Sequence, residues 1–260
     1  MAEHDIALVR ADNPGPFTLT GTNTWVVGRD PCWIVDPGPD LEAHVAAVVA
    51  EATARGGAGG VAITHSHPDH AGCAVAVARA LGAPLAAMDW ERATVTLAGG
   101  ERFGPLEAVP TPGHSPDHLA FVAGGACMTG DAVLGEGSVF VAPGPGSLAG
   151  YLESLRGLSA RGLDVLLPGH GPIVGDPKAK LDGYVAHRLD RERRLVEALG
   201  DGVRSVDDLI ARVWAEAPEN LRLAVVVTLA AHLEKLGEEG RLPDGVEVPD
   251  LTWLANVPKP

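Results

Sequence analysis

Three histidines and one aspartate lie within six residues of this chain, in the stretch His65-Ser66-His67-Pro68-Asp69-His70. The apolar run Val61-Ala62-Ile63 precedes them and predicts a strand. Side chains two residues apart on extended backbone point to the same side, so His65 and His67 can bind one metal ion. A proline then turns the chain and carries Asp69 and His70 to a different side, where they can bind a second ion.

Three further positions repeat this arrangement, in which an apolar strand is followed by Gly or Pro and then by a residue that can bind metal. They are His114 after Thr111-Pro112-Gly113, Asp131 after Gly130, and His170 after Pro168-Gly169. Ligands of α/β proteins gather at the carboxyl ends of strands, so we expect all these side chains to share one site. Imidazole and carboxylate groups without a thiolate suit zinc. Seven ligands exceed one tetrahedral site, which indicates two ions.

The elements that must position these residues follow from the surrounding pattern. Short strand patterns separated by turn residues fill residues 6–35, including one at Phe17 to Leu19, and a helical pattern covers residues 40–55. An alanine-rich segment predicts one helix over residues 71–81, directly after the ligand loop. Strands and helices continue to the end of an expected catalytic domain, residues 1–177.

The last part of the chain has a different character. Residues 178–199 form one long amphipathic pattern, a capping-box-like Ser205-Val206-Asp207-Asp208 opens a second helix, and a third begins near Pro218. Residues 241–248 can form a small hairpin. Helices followed by a short hairpin predict a winged-helix-like module over residues 178–260.

Four polar residues of the first of these helices recur at the spacing i, i+3, i+4, i+7. They are Tyr184, His187, Arg188 and Arg191. We expect them to form one polar face opposite a leucine stripe. Residues 178–194 hold six Lys and Arg against three Asp and Glu. One interpretation is that this face overhangs the metal site and binds an anionic substrate such as a phosphate backbone. The alternative is an ordinary solvated helix face.

Composition and charge limit the classes of function. The chain has 260 residues, of which 46% are hydrophobic and 21% charged, as in globular proteins. Its formal charge of −14 disfavours general binding to duplex DNA. No signal-like N-terminus and no apolar run long enough to cross a bilayer is visible in the sequence. Three scattered cysteines do not indicate a disulfide framework. We therefore expect a cytoplasmic protein without a membrane partner.

The ligand motifs resemble those of the metallo-β-lactamase superfamily, which implies an αββα sandwich. The resemblance implies two zinc sites whose ligands are His65, His67 and His114 for the first, Asp69, His70 and His170 for the second, and Asp131 as the bridge. Asp36, in Val35-Asp36-Pro37-Gly38, matches an aspartate that supports the ligands instead of binding metal. His118 follows closely after His114 and is more simply a buried structural histidine than a catalyst.

Further motifs resemble the branch of the superfamily that is typified by beta-lactamase-like protein 2, an endoribonuclease for single-stranded RNA. They are residues 13–19, Gly21-Thr22-Asn23-Thr24, Thr111-Pro112-Gly113-His114, residues 130–137, Pro168-Gly169-His170-Gly171-Pro172, residues 184–188 and Pro218-Glu219-Asn220-Leu221. The resemblance spans nearly the whole chain. Its ligand motifs are far more specific for the fold than for the substrate.

The resemblance implies a hydrolase that uses a metal-bridging hydroxide, with Asp69 orienting the nucleophile and passing on its proton. Cleavage of single-stranded RNA is the leading expectation for the substrate. The alternative is a thioester, ester or lactone, as for glyoxalase II and the carrier-protein thioesterases of the same superfamily. The acidity of the chain favours this alternative, because RNA binding draws affinity from cations. A winged-helix regulator without activity is a third possibility, and the complete ligand set argues against it.

Overall fold

The computed structural model describes residues 5–139, 141–144 and 146–253. Residues 254–260 of the expected C-terminal module lie outside this range. Two β-sheets form the centre of the molecule. In the described residues their strands are β1 (Ile6–Arg10), β2 (Asn23–Val27), β3 (Cys32–Val35), β4 (Ala58–Ala62), β5 (Leu85–Ala87), β6 (Val95–Thr96), β7 (Arg102–Phe103), β8 (Leu106–Pro110), β9 (Leu119–Ala123), β10 (Ala126–Gly130) and β11 (Val165–Pro168).

Helices cover the outer faces of both sheets and form the C-terminal part. In the described residues they are α1 (Glu42–Ala54), α2 (Pro68–Ala71), α3 (Ala74–Leu81), α4 (Ser147–Ser159), α5 (Pro177–Gly200), α6 (Val206–Val213) and α7 (Arg222–Glu238), with a 3₁₀ turn at Glu219–Leu221 before α7. Among these helices, none is both long enough and apolar enough to cross a bilayer.

The strand order is β1-β2-β3-β4-β5-β6 in the first sheet and β11-β10-β9-β8-β7 in the second. Strands β3 to β6 pair in parallel, as do β10 and β11, and the remaining neighbours are antiparallel. Helices α1 and α3 pack on the outer face of the first sheet. Helix α4 and the first half of α5 pack on the outer face of the second. The predicted αββα sandwich is confirmed.

Alternation along the central strands explains how both faces of each sheet are buried. Trp25 of β2 points into the core between the sheets, while its neighbour Val26 points towards α1 and α3. Phe121 of β9 likewise faces the inter-sheet core and Val122 faces the α4 layer. Because a strand with two covered faces cannot expose alternate residues, these strands are almost continuously apolar.

Two predicted elements near the site differ from the structure. The predicted strand at residues 17–19 is a turn, joined only by an isolated bridge between Gly15 and Leu19. The single helix predicted over residues 71–81 is two helices, α2 and α3. Helix α2 begins inside the ligand loop because Pro68 occupies its first position, where the missing N–H costs nothing.

The C-terminal part is helical in the residues described. The second half of α5, α6 and α7 surround a separate core that contains Leu195, Leu209, Trp214 and Leu229. Ser205 caps α6 by accepting from the Asp208 N–H, as the capping-box pattern predicts. No strand forms between α7 and residue 253, so the wing expected at residues 241–248 is absent from the described structure, and a winged-helix module is not confirmed.

A buried histidine in this C-terminal part should make the stability of the protein depend on pH in the acid range. His232 of α7 is fully buried, and neither ring nitrogen has a hydrogen-bond partner among the described residues. Burial is the main cause that lowers its pKa to about 3, and the nearby Arg188, Lys235, His187 and Arg191 lower it further. The unfolded chain protonates this side chain near pH ~6.5. Between about pH 6.5 and 3 the unfolded state therefore binds the extra proton, and acidification favours unfolding.

Replacing His232 with leucine should flatten the acid limb of the stability curve. We expect the slope of the unfolding free energy against pH to fall by about 1.4 kcal/mol per pH unit between about pH 4 and 6, because one proton is no longer taken up on unfolding. Urea denaturation of His232→Leu and the unsubstituted protein across this range measures both slopes. Parallel curves for the two proteins would show that His232 does not titrate in this way.

Candidate metal centre

The structure brings the seven predicted ligand residues together at one end of the sandwich. Their loops begin at the carboxyl ends of strands from both sheets: β4, β8, β10 and β11. Three overlapping groups of these side chains have ligand atoms within 4.8 Å of one another. The groups are His65, His67 and His114; His65, His70 and Asp131; and Asp69, His70 and His170.

Three imidazoles form the first cluster. His65 Nε2 lies 2.9 Å from His67 Nδ1, and His114 Nε2 lies 3.1 Å from the same atom. His65 and His67 therefore do converge, although β4 ends at Ala62 and residues 64 and 65 form a bend, and the third imidazole comes from the loop after β8. Three ring nitrogens converging on one point can bind a single cation.

A carboxylate and two imidazoles form the second cluster. His70 Nε2 lies 3.1 Å from His170 Nε2, and His170 Nε2 lies 3.0 Å from Asp69 Oδ2. Asp69 and His70 sit in α2, which begins at Pro68. The His70 ring nevertheless stays close to the first cluster, with its centroid 4.4 Å from that of His65.

Asp131 lies between the two clusters and offers one carboxylate oxygen to each. Its Oδ2 is 3.7 Å from His114 Nε2 of the first cluster. Its Oδ1 is 3.5 Å from His70 Nε2 and 3.4 Å from His170 Nε2 of the second. A carboxylate in this position can bind two cations at once.

Two unpartnered carboxylate oxygens in the described part of the chain show, independently of the sequence motif, that these residues fit a metal centre. Asp69 Oδ1 and Asp131 Oδ1 are buried and have no hydrogen-bond partner among the described residues. A buried carboxylate oxygen without a donor is costly, and a cation, or a water molecule held by one, satisfies it. Because the donors are imidazole and carboxylate groups only, the centre suits zinc or a similar divalent ion.

Asp36 orients two of the imidazoles. Its Oδ2 accepts a hydrogen bond from His70 Nδ1 at 2.8 Å and from the Thr64 hydroxyl at 2.9 Å, and its Oδ1 accepts from the Thr64 N–H at 2.7 Å. Since the Thr64 hydroxyl donates to Asp36, it accepts from His65 Nδ1 at 3.0 Å. Both imidazoles are thereby held with Nε2 unprotonated and directed at the centre.

The charges of the centre are arranged for cations. Burial is the largest cause that lowers the pKa of His67 to about 4, so this imidazole is neutral and able to bind metal near pH ~7. Burial alone would lower the pKa of His70, but Asp69, Asp36 and Asp131 outweigh it and hold that pKa well above its usual value. Three carboxylates around one imidazole make this part of the centre attractive to positive charge.

His118 supports Asp131 instead of facing the centre. The Asp131 N–H donates to His118 Nε2 at 3.1 Å, so Nε2 carries no proton and Nδ1 donates to the Thr111 hydroxyl at 2.7 Å. Burial is the main cause that lowers the pKa of His118 to about 3. A neutral imidazole with both nitrogens engaged agrees with the structural role expected from the sequence.

Two supporting residues were not found from the sequence. Asp117 Oδ2 accepts from the Ser66 N–H at 3.0 Å and so ties the His65–His67 segment to the loop that carries His114. Asn23 of β2 donates from Nδ2 to the carbonyls of Pro168 and Gly171, and so holds the loop that carries His170. Both are tertiary contacts across 51 to 148 residues, which no local pattern signals.

The four residues expected to form a polar face of α5 lie elsewhere than predicted. Tyr184, Arg188 and Arg191 are on the buried side of the helix, at 8%, 3% and 9% exposure, and His187 is exposed. Leu189 is instead on the exposed side. The prediction of a polar face opposite the leucine stripe is therefore wrong for Tyr184, Arg188 and Arg191, which are buried as are most of the leucines. Contact of these residues with substrate stays a prediction.

Every Lys and Arg of residues 178–194 has a partner within the chain. Carboxylate partners are Asp182 for Lys178, Glu216 for Arg191 and Arg194, and Asp190 with Glu197 for Arg193. Carbonyl partners are Gly135 for Lys180 and Val139 for Arg188. The positive charge of α5 is thus largely used inside the protein.

Comparison with known proteins defines the family. The family model of the metallo-beta-lactamase superfamily matches residues 17–89 and 89–170. The chain belongs to this superfamily and is a metal-dependent hydrolase of it.

Individual relatives agree with the family. A beta-lactamase-like protein 2 homolog of Caenorhabditis elegans is 29% identical over 258 residues, which cover 90% of this chain and 85% of the relative. An atrochrysone carboxyl ACP thioesterase of Aspergillus chevalieri is 33% identical over 238 residues, which cover 83% of this chain and 75% of the relative. The solved structure of a metallo-beta-lactamase family protein of Thermus thermophilus shares the fold, with a TM-score of 0.72 at 24% identity. The match covers 90% of this chain and 94% of that protein. The resemblance to the beta-lactamase-like protein 2 branch is confirmed.

Proposed function

We propose that the chain is a dinuclear zinc hydrolase that cleaves a thioester or ester. The observation that carries the dinuclear centre is the position of Asp131, with one oxygen directed at each of two ligand clusters. His65, His67 and His114 would hold the first ion, Asp69, His70 and His170 the second, and Asp131 both.

The bound ions would lower the pKa of a water molecule towards ~7 and polarise the bond under attack. Asp69 would accept the proton of this water molecule and pass it on. Its Oδ2 faces His170, while its buried Oδ1 has no donor among the described residues and can accept a proton from the nucleophilic water. The water oxygen bonds to the carbonyl carbon, the carbon–sulfur or carbon–oxygen bond breaks, and the leaving group takes the proton. Asp36 and Thr64 keep the imidazoles of His70 and His65 in place during this exchange.

Two observations support a carbonyl substrate. The cations of α5 that would bind a phosphate backbone already have partners within the chain, and the net charge of −14 repels a polyanion. One relative that spans most of the chain carries the name of a carrier-protein thioesterase.

Cleavage of single-stranded RNA is the second candidate. It rests on the resemblance to the beta-lactamase-like protein 2 branch, whose homologue in Caenorhabditis elegans aligns with 90% of this chain. The same metal centre could attack a phosphodiester, because two ions can stabilise both the attacking and the leaving oxygen.

Side-by-side assays with a neutral acyl thioester and a labelled single-stranded RNA distinguish the two substrates. We expect thioester turnover that changes less than about twofold between about 50 and 300 mM salt, because a neutral substrate gains little from charge. RNA cleavage that exceeds thioester turnover and falls steeply over the same salt range would contradict the proposal and favour the second candidate. Asp131→Asn serves as the control for contaminating nucleases and esterases in both assays.

A further inference from the structure

The segment that follows Asp131 lacks regular structure, yet its backbone is closely held. Residues 134–139 form no strand or helix. Without a neighbouring strand, their carbonyls need other donors. These donors are side chains of α5.

Three α5 side chains at a spacing of four residues donate to this segment, and we call them the α5 stripe. Lys180 Nζ donates to the Gly135 carbonyl at 3.0 Å and the Tyr184 hydroxyl to the Gly137 carbonyl at 2.8 Å. Arg188 Nη2 donates to the carbonyl of Val139. Tyr184 also lies 3.4 Å from the Leu134 carbonyl.

The donors and the acceptors are both evenly spaced. Lys180, Tyr184 and Arg188 follow one another at about 6 Å of helical rise, and their acceptors are the carbonyls of Gly135, Gly137 and Val139. Lys180, Tyr184 and Arg188 therefore stay in register with every second residue from Gly135 to Val139. Three donors that bind successive alternate carbonyls fix where residues 134–139 lie along α5, and they also fix how far these residues lie from the helix.

The held segment connects directly to two of the proposed metal ligands. It begins three residues after Asp131, and the Gly135 N–H donates to the His170 carbonyl at 2.9 Å. The Ala132 carbonyl between them accepts from the Tyr151 hydroxyl of α4 at 2.9 Å. A shift of the segment along α5 would thus displace both Asp131 and His170.

Helix α7 holds the far end of the same loop. Glu234 accepts from the Gly144 N–H at 2.6 Å and Glu238, one turn later, from the Gly146 N–H at 2.9 Å. Helices α5 and α7 therefore both bind the loop between Asp131 and α4.

We propose that Lys180, Tyr184 and Arg188 are positioning residues for the metal centre, acting through residues 134–139 on Asp131 and His170. The proposal rests on the proposed function, in which His170 would hold the second ion and Asp131 both ions. The C-terminal helices thereby take part in forming the metal centre. Arg188 is buried and has no carboxylate partner among the described residues, and the proposal gives it a role other than substrate binding.

The test compares two identical substitutions on α5. Arg188→Met removes a donor of the stripe, while Arg193→Met changes an exposed arginine of the same helix. We expect Arg188→Met to bind the second cobalt ion about tenfold more weakly, since supporting contacts of metal ligands typically contribute tenfold or more. The first ion should be weakened less, because only one of the two displaced ligands, Asp131, would hold it. Hydrogen exchange of the Gly135 amide should be about tenfold faster, in the metal-free protein as well. Arg193→Met should match the unsubstituted protein in both measurements.

Tyr184→Phe is the second variant, because it keeps the ring in the core and removes only the hydroxyl. It should show the same preferential weakening of the second ion at a nearly unchanged melting temperature, which simple loss of packing would not produce. Unchanged affinity for the second ion and unchanged Gly135 exchange in either folded variant would overturn the positioning role. Failure of the unsubstituted protein to bind two ions would instead overturn the proposed function, while Gly135 exchange would still report on the stripe.

Discussion

Replacing Asp131 with asparagine is expected to lower kcat/KM by about a thousandfold, which corresponds to about 4 kcal/mol of transition-state stabilisation. The two carboxylate oxygens of Asp131 face different ligand clusters, 3.7 Å from His114 Nε2 and 3.4 Å from His170 Nε2. Asparagine has nearly the same shape, but one of those oxygens becomes an NH₂ group that cannot bind a cation. One ion therefore loses a ligand and the pair loses its shared charge.

The measurement is steady-state kinetics of Asp131→Asn on the thioester, together with its metal content. We expect the bound metal to fall from two equivalents towards one. Asp182→Asn is the matched control, because it makes the same substitution on the exposed face of α5 and should leave both quantities unchanged. Activity of Asp131→Asn within a few-fold of the unsubstituted protein would show that no shared ligand is needed.

Replacing Asp36 with alanine is expected to destabilise even the metal-free protein by about 3 kcal/mol. The side chain is 1% exposed and accepts from His70 Nδ1, the Thr64 hydroxyl and the Thr64 N–H. Its removal leaves these buried donors without an acceptor, which costs more than the hydrogen bonds contributed. The backbone at residue 36 also has φ of 53°, a conformation that asparagine and aspartate tolerate better than alanine does.

Urea denaturation of the metal-free variants measures this effect separately from metal binding. Asp36→Asn should lose less stability than Asp36→Ala, because it keeps the backbone conformation and one oxygen acceptor. Asp12→Ala, at an exposed position, should change the unfolding free energy by less than about 0.5 kcal/mol. Equal stabilities for Asp36→Ala and Asp12→Ala would mean that the Asp36 contacts contribute nothing to the fold.

The clustering of the candidate metal ligands could be predicted from the sequence because each ligand position is marked by its own local pattern. Each ligand follows a strand directly, and strand ends from the two sheets meet at one end of the sandwich. The closeness of His65, His67, Asp69 and His70 in space follows from their closeness in the sequence. None of these inferences needs a contact between distant residues.

The burial of α5 could not be predicted in this way. Periodicity places Arg188 and Arg191 on a face, but it cannot show that this face is turned inward. Arginine is tolerated there because it finds carbonyl partners at Val139 and Val213, which are 49 and 22 residues away. The same limit hid the contacts of Asp117 and Asn23 with the ligand loops.

The strand expected at residues 17–19 and the hairpin expected at residues 241–248 failed for a different reason. Alternating or apolar composition gives a segment the capacity to pair, and pairing also needs a free neighbouring edge. The first segment instead folds into a turn closed between Gly15 and Leu19. In the second, the Arg241 N–H donates to the Leu236 carbonyl and the Glu247 N–H to the Arg204 carbonyl, and neither bond pairs two strands.

Diffraction from metal-loaded crystals, recorded at the absorption edge of the added ion, tests the central claim most directly. We predict two anomalous peaks, one among His65, His67 and His114 and one among Asp69, His70 and His170, with Asp131 bound to both. One peak, or none, with the remaining side chains of this set turned to solvent, would contradict the dinuclear centre and the hydrolytic mechanism that depends on it.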